Sequence, residues 1–434
     1  MSDILDLTID RPVAGGRMIA RDDGRIVFVS GAIPGERVRA RVERTAKQLR
    51  WAATIEVLEP SPDRRTVPYD PACGGSAFAH IRYARQLELK QQILVDAFRR
   101  IARITLEAAP VVAPSPEGGY RLRARLHAKH GQLGFFLEGT HTICDASPTA
   151  QLLPEATAAA REVFGALGPR SADCDAVIVS ENVAGTERVL HLEPRDHARL
   201  DDVADAIRAV AGEQTPRLTG VTTIVRDELV HIIGTPSVTD TAASLFAGAS
   251  PLPGDAVWTR RAPSFFQGNR YLVGALVRRV IECAAGDRAV DLYAGVGLFS
   301  VALAANGAQV TAVEGEAFAA EDLATNARPF GSRLEVVRAT VEDAVQRPSR
   351  PIPAAVVLDP PRTGVSPGAL RSLAAWAAPT LVYVSCDPPT LARDAASLAT
   401  FGYRLASLEA FDLFPNTPHV ESLAVFTRSG TSAK

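Results

Sequence analysis

The feature that most constrains this chain is the regular alternation of short apolar runs with helical stretches from residue 251 onward. AVDLYA, QVTAVEG, RLEVVRA, AAVVLDPP and TLVYVSC each read as a buried strand followed by a helix, and a strand pair closes the series. Strands that are apolar on both faces need helices on both sides, so the pattern predicts a doubly wound α/β sheet. Ligands of such sheets bind outside the carboxyl ends of the strands. Asp291, Glu314, Asp359 and Cys386 stand at those ends in order. One of them alone reads equally well as a turn or a helix cap. Four in succession point to a site.

The stretch Leu381 to Asp394, LVYVSCDPPTLARD, holds a thiol at such an end. Pro388 and Pro389 have no N–H for a ladder, so the strand must stop there, and Thr390 restarts the chain as a helix. Free cysteines are mostly small buried hydrophobes, but one placed at this edge is a candidate nucleophile. Upstream, DLYAGVGL sets Gly295 and Gly297 between strand and helix, a G-x-G without the third glycine of a dinucleotide fingerprint. Glu314 ends the next strand, where an acid can accept hydrogen bonds from ribose hydroxyls. Asp291 at the loop disfavours a pyrophosphate and favours a cationic ligand, which S-adenosylmethionine is. Asp359 ends the fourth strand in VVLDPPRTG, and Glu421, opening the last strand near the sheet edge, is a candidate base.

The 434 residues suggest about three domains. Residues 1–60 alternate β-prone runs with Gly and Pro turns, which predicts a small five-stranded barrel. Its run RVRARVER puts Arg37, Arg39 and Arg41 on one strand face, a ladder suited to phosphates or simply a solvated face. Pro60 to Pro71 reads as a linker. Arg82 to Arg103 reads as a long amphipathic helix with Leu87, Ile93, Leu94, Ala97, Phe98 and Ile101 inward and its basic side chains elsewhere. Tyr120 to His130 is a strand with a second basic face, Arg121, Arg123, Arg125, His127 and Lys129. Residues up to about 250 mix short strands and helices. A net charge of −2 excludes general polycation behaviour, so any nucleic-acid surface is local.

The first residues lack the basic n-region of a secretory signal. The uncharged stretch Leu292 to Val313 is broken by glycines into strand, loop and helix, so no membrane span is expected. Five widely spaced cysteines fit reduced thiols in a cytoplasmic protein better than a disulfide scaffold. A monomer is the default.

With these residues in place, the chain resembles the S-adenosylmethionine-dependent RNA uracil-C5 methyltransferases that carry an N-terminal TRAM barrel. The resemblance spans nearly the whole chain and rests on FFQGN at 265–269, DLYAGVGLFS at 291–300, LDPPRTG at 358–364, SCDPPTLARD at 385–394 and FPNTPHVE at 414–421. It implies a TRAM-like barrel at 1–60, an α+β middle domain contacting RNA at 61–250, and a class I (Rossmann-like) methyltransferase domain at 251–434. It implies Cys386 as the nucleophile that adds to C6 of a uridine and Glu421 as the general base. Gln267, Tyr293, Glu314 and Asp359 become cofactor and substrate contacts, beside Asp291, Gly295 and Gly297 of the cofactor loop. The barrel and the two arginine ladders would grip the RNA backbone, and ribosomal RNA is the expected substrate, ahead of transfer RNA. A non-catalytic RNA-binding or ribosome-assembly factor is the competing reading, against which the retained Cys386, Glu421, Asp359 and glycine loop speak. An exocyclic-amine methyltransferase would need an aromatic residue where Arg362 stands.

Two departures accompany the resemblance. Many relatives hold an iron–sulfur cluster through four cysteines, three of them in a C-P-x4-C-G-G-C run, but here Val67 and Ser76 occupy ligand positions and only Cys73 and Cys144 remain. The expectation is no cluster, no metal, and a loop 67–76 held by ordinary packing. Asp387 stands where an asparagine is expected, and a second negative charge beside Cys386 would disfavour its thiolate.

Overall fold

The computed structural model of the protein describes residues 3–196, 198–210, 218–226 and 228–428. The apolar runs from 288 onward form the expected parallel sheet, in the spatial order Leu334–Arg338, Gln309–Glu314, Arg288–Leu292, Ala355–Leu358, Thr380–Ser385. The last strand in sequence, Glu421–Arg428, enters antiparallel between Thr380–Ser385 and Tyr403–Phe411. Period-two alternation sorts the side chains. Val290, Leu292, Val356, Leu358, Leu381 and Tyr383 bury in one apolar layer, and Ala289, Val357, Val382, Val384 and Leu423 in the opposite one. The strand order reverses between Arg288–Leu292 and Ala355–Leu358, which opens a crevice at their carboxyl ends.

The eighth strand, Val112–Ala113, pairs parallel with Tyr403–Phe411 and comes from far upstream. The expected long helix occupies Tyr83–Ala97 and ends in one wider turn, Phe98–Ala102. It lies between two cores. Leu89 and Ile93 complete the core of the N-terminal barrel, whereas Leu94, Ala97 and Phe98 join a layer of the C-terminal sheet. Residues 83–113, expected in a middle domain, therefore pack with the sheet that follows 250. The helix also departs from its predicted pattern: Gln86 and Lys90 lie on the buried face, and Ile101 is exposed. Lys90 escapes the usual exclusion of ammonium groups from interiors because the equally buried Asp412 pairs with it.

The five predicted strands of the N-terminus close into a barrel, in the order Ile4–Pro12, Met18–Asp22, Arg25–Ser30, Leu49–Glu59, Arg37–Ala46. The central sheet has seven strands, with Cys174–Glu181 between Arg188–Pro194 and Arg123–Lys129. The helices Pro154–Ala166 and Ala204–Val210 cover one face. Ser237–Thr241 pairs with Val257–Arg261, so a ladder crosses the boundary expected at 250. Among the described residues no helix is long and apolar enough to cross a membrane.

Reduced thiols were expected throughout, and for two of the five cysteines this is corrected: Cys73 and Cys144 form a disulfide across 71 residues. Cys174, Cys283 and Cys386 are free. The loop 67–76 is thus tied covalently to the hairpin that carries Cys144, in addition to the packing expected there. Four thiolates are needed for a cluster, and the residues present do not fit one, since these two are bonded to each other. Cross-linking a loop of this size restricts the unfolded chain, so Cys73→Ser should lower unfolding stability by about 2–4 kcal/mol, measured by urea denaturation. An unchanged midpoint would mean that the bond carries no stability.

Candidate active site

Pairing of the last parallel strand with the antiparallel insert sets the site. Ser385 lies opposite Ser422. The next residue along one strand, Cys386, and the first residue of the other, Glu421, therefore leave the sheet side by side. Pro388 and Pro389 end the ladder as predicted, and Asp387 caps the following helix by accepting from the Thr390 N–H at 2.9 Å. That helix in turn holds the 359–364 loop: the Thr390 hydroxyl donates to the Arg362 carbonyl at 3.0 Å, and Arg393 donates to the Thr363 carbonyl at 2.9 Å.

The electrostatics follow from burial. The Cys386 thiol is pushed up to about 12, chiefly by desolvation, then by the carboxyls of Glu421 and Asp359, while Arg362 pulls it down by charge and a hydrogen bond. The Asp387 carboxylate, expected beside the thiol, is engaged in the helix cap. Glu421, 2% exposed, is raised well above the ordinary range by burial and then by Asp359. Asp359 is raised by burial and by Asp291, opposed by the Gln267 amide, which donates to it at 3.0 Å. Arg362 is the cation at this edge that sequence reasoning left without a catalytic role. Its place in LDPPRTG, three residues past Asp359, was the available signal.

The cofactor loop sits at the crevice. Gly295 and Gly297 adopt left-handed backbone with φ of 55° and 92°, and a Cβ at Gly295 would meet only open space. Tyr293 takes φ 62° without being glycine, a costly conformation of the kind that clusters at functional sites. Glu314 accepts from the Gly295 N–H at 2.8 Å and the Glu316 N–H at 2.6 Å, which ties the second strand end to the loop. Asp291 is fully buried. The Ser300 hydroxyl donates to one of its oxygens, the other has no partner, and burial, augmented by Glu314, raises the carboxyl to about 7.

Beside Gln267 a cleft of about 410 Å³ opens between the central sheet and the 265–269 segment, lined by Arg121, Arg125, Phe135, Phe265 and Phe414 among others. Phe265 is 61% exposed. The second basic ladder reaches this cleft, and its members differ in engagement. Arg121 donates to Gln151 at 2.6 Å, Arg123 donates to the Ala262 and Pro263 carbonyls, and Arg125 pairs with Glu193. In the barrel, Arg37 pairs with Asp6 and Glu59, and Arg39 with Asp6 and Glu56. Arg41 is exposed. The barrel ladder lies on a different unit from the strand ends and contributes nothing to their cluster.

Comparison with known proteins identifies the family. A model of the tRNA (Uracil-5-)-methyltransferase family matches residues 352–429, the span that contains Asp359, Arg362, Cys386 and Glu421, and a TRAM domain model matches residues 3–49. The 23S rRNA (uracil(1939)-C(5))-methyltransferase RlmD of Chromohalobacter salexigens is 36% identical over 97% of this chain and 89% of its own length. Its namesake from Pseudomonas putida is 33% identical over 97% and 93%. The chain belongs to the RNA uracil-C5 methyltransferase family. The fold of this family member also matches a solved tRNA (uracil-54, C5)-methyltransferase from Pyrococcus abyssi, with a TM-score of 0.73, 24% identity, and coverage of 97% of this chain and 99% of that one.

A thiol held near 12 is ionised in only about one molecule in 10⁴ at pH 8. The thiolate fraction of Cys386 grows as pH rises. If Cys386 is the attacking group, reaction of this family member should therefore accelerate steadily from pH 6 to 9, with no alkaline fall, in single-turnover assays. Arg362→Ala, which removes an exposed cation that pulls the thiol toward thiolate, should slow that attack roughly three- to tenfold at pH 7.5. A rate that is flat in pH would contradict the raised thiol.

Proposed function

We propose that this protein methylates C5 of a uridine in 23S ribosomal RNA, with Cys386 as nucleophile and Glu421 as base. The observation that carries the reading is the register that sets Cys386 and Glu421 side by side, with Asp359 and Arg362 close enough to shift the thiol. C5 of uracil is too weak a nucleophile to take a methyl group unaided. The Cys386 thiolate first bonds to C6, and the C5–C6 π electrons move toward the C4 carbonyl as an enolate. S-adenosylmethionine would supply the electrophilic methyl group that the enolate carbon takes up, the methyl–sulfonium bond breaking to leave neutral S-adenosylhomocysteine. The Glu421 carboxylate then removes the C5 proton, that electron pair restores the C5–C6 double bond, and the Sγ–C6 bond breaks to return the thiolate.

The residues present fit that methyl donor. The unpartnered oxygen of Asp291 is a buried acceptor awaiting a cationic group, Glu314 suits ribose hydroxyls, and the open Gly295 allows close approach. Tyr293 and Gln267 flank it, and Asp359 orients the uracil through its N3–H. Paired bases hide C6, so the uridine is reached in a loop or flipped out. Phe265 and the cleft of Arg121, Arg123 and Arg125 receive the flanking strand, and Arg37, Arg39 and Arg41 lie on the barrel for more distant phosphates. We propose a soluble cytoplasmic monomer of three domains, a barrel to about residue 60, a middle domain, and a methyltransferase domain from about 250 that also takes in residues 83–113, with no iron–sulfur cluster. The full-length relatives named for 23S rRNA favour ribosomal over transfer RNA.

The test incubates the purified protein and labelled S-adenosylmethionine with 23S rRNA and tRNA transcripts, followed by nucleoside mass spectrometry. We expect 5-methyluridine in the 23S transcript, abolished in Cys386→Ala. Methylation only of tRNA would move the substrate assignment, and full methylation by Cys386→Ala would exclude the covalent route.

A further inference from the structure

Glu421 opens its strand directly after the connection 412–420, whose two ends meet where Phe411 pairs with Glu421. Most of this connection is buried, and at Asn416 it turns through φ 64°. Its shape is imposed from outside the C-terminal strands. Gln86 and Lys90, four residues apart on one face of the long helix, point into it, and each is fully buried. The Lys90 ammonium pairs with Asp412 and donates to the Phe414 carbonyl at 3.0 Å. The Gln86 amide closes a reciprocal pair with Asn416: its Nε2 donates to the Asn416 Oδ1 and its Oε1 accepts from the Asn416 N–H, both at 2.9 Å. Arg65 donates to the same Asn416 oxygen at 2.7 Å, and the Phe78 N–H donates to the Asn416 carbonyl at 2.8 Å.

A buried amide or ammonium is costly unless its protons find acceptors. The Lys90 acceptors belong to the connection, and so does the N–H that the Gln86 Oε1 accepts, while the Gln86 Nε2 donates also to the Phe78 and Ile81 carbonyls at 3.1 and 2.9 Å, so both helix side chains are fully satisfied only when 412–420 keeps this course. The nucleophile is fixed separately, by its own strand and by the Asp387 cap. We propose that Gln86 and Lys90 are positioning residues that set the Glu421 carboxylate for removal of the C5 proton, an inference that rests on Glu421 being the base. Loosening this clamp uncouples the two halves of the reaction: addition and methyl uptake proceed, and elimination stalls.

The test uses Gln86→Met, which keeps length and burial but loses the reciprocal pair together with the bonds to the Phe78 and Ile81 carbonyls, and Asn416→Gly, which keeps the left-handed backbone, leaves those two bonds in place and removes the partner side chain. Methyl transfer in the first turnover on 23S rRNA should stay within about twofold of the parent. Steady-state kcat should fall about 10- to 100-fold with KM unchanged, and a methyl-labelled, SDS-resistant protein–RNA complex should accumulate. Glu421→Gln is the reference. If it accumulates no such complex, the reading of Glu421 as base fails. If it does, while both clamp variants turn over like the parent or lose methyl transfer and elimination in equal proportion, the positioning role is overturned.

Discussion

Three carboxyl groups, from Asp291, Asp359 and Glu421, are packed at one end of a sheet that leaves them little water. Like charges at such a place cannot all be ionised at neutral pH, and this conflict organises the site. Each carboxyl has a specific answer to its burial: the Ser300 hydroxyl for Asp291, the Gln267 amide for Asp359 and the Arg362 guanidinium for Glu421. The same crowding keeps the thiol protonated and inert until something displaces charge or water. A cationic ligand beside Asp291 would relieve part of the repulsion, so ligand binding and readiness of the thiol are physically linked.

The apolar architecture exists to bring those ends together. Five parallel strands place their carboxyl ends on one edge, and one antiparallel strand delivers Glu421 to the same edge from its amino end. The long helix links this arrangement to the barrel, because Leu89 and Ile93 serve one core while Leu94 and Phe98 serve the other. A displacement of the barrel would be felt by that helix. Contact continues at Gly16 in the first barrel turn, where an added Cβ would come within 2.8 Å of Pro418.

The sheet and its chemistry were legible in the sequence because period and position carry them. An apolar run followed by Asp-Pro-Pro or Cys-Asp-Pro-Pro marks both a strand and its end, and the barrel followed from turn residues at short spacing. What could not be read depends on partners distant in the chain. Lys90 looks like any surface lysine until Asp412, 322 residues away, is brought beside it. Asp387 looks like a charge next to a nucleophile until the Thr390 N–H claims it. Cys73 and Cys144 carry no mark that they will meet. Sequence neighbours likewise gave no sign that the helix and Val112–Ala113, read with the middle domain, would complete a sheet built from residues after 288.

That completing strand bears on how this protein can be divided. Val112–Ala113 covers the outer edge of Tyr403–Phe411, and Leu94, Ala97, Phe98 and Val112 roof one layer beneath it. A fragment beginning at residue 251 would carry every strand-end residue of the site yet lack this roof, leaving open backbone groups and bare apolar surface that invite self-association. The catalytic half is therefore not a portable module. Its sheet is discontinuous in sequence, closed by a piece from residues 83–113 and one from the last part of the chain.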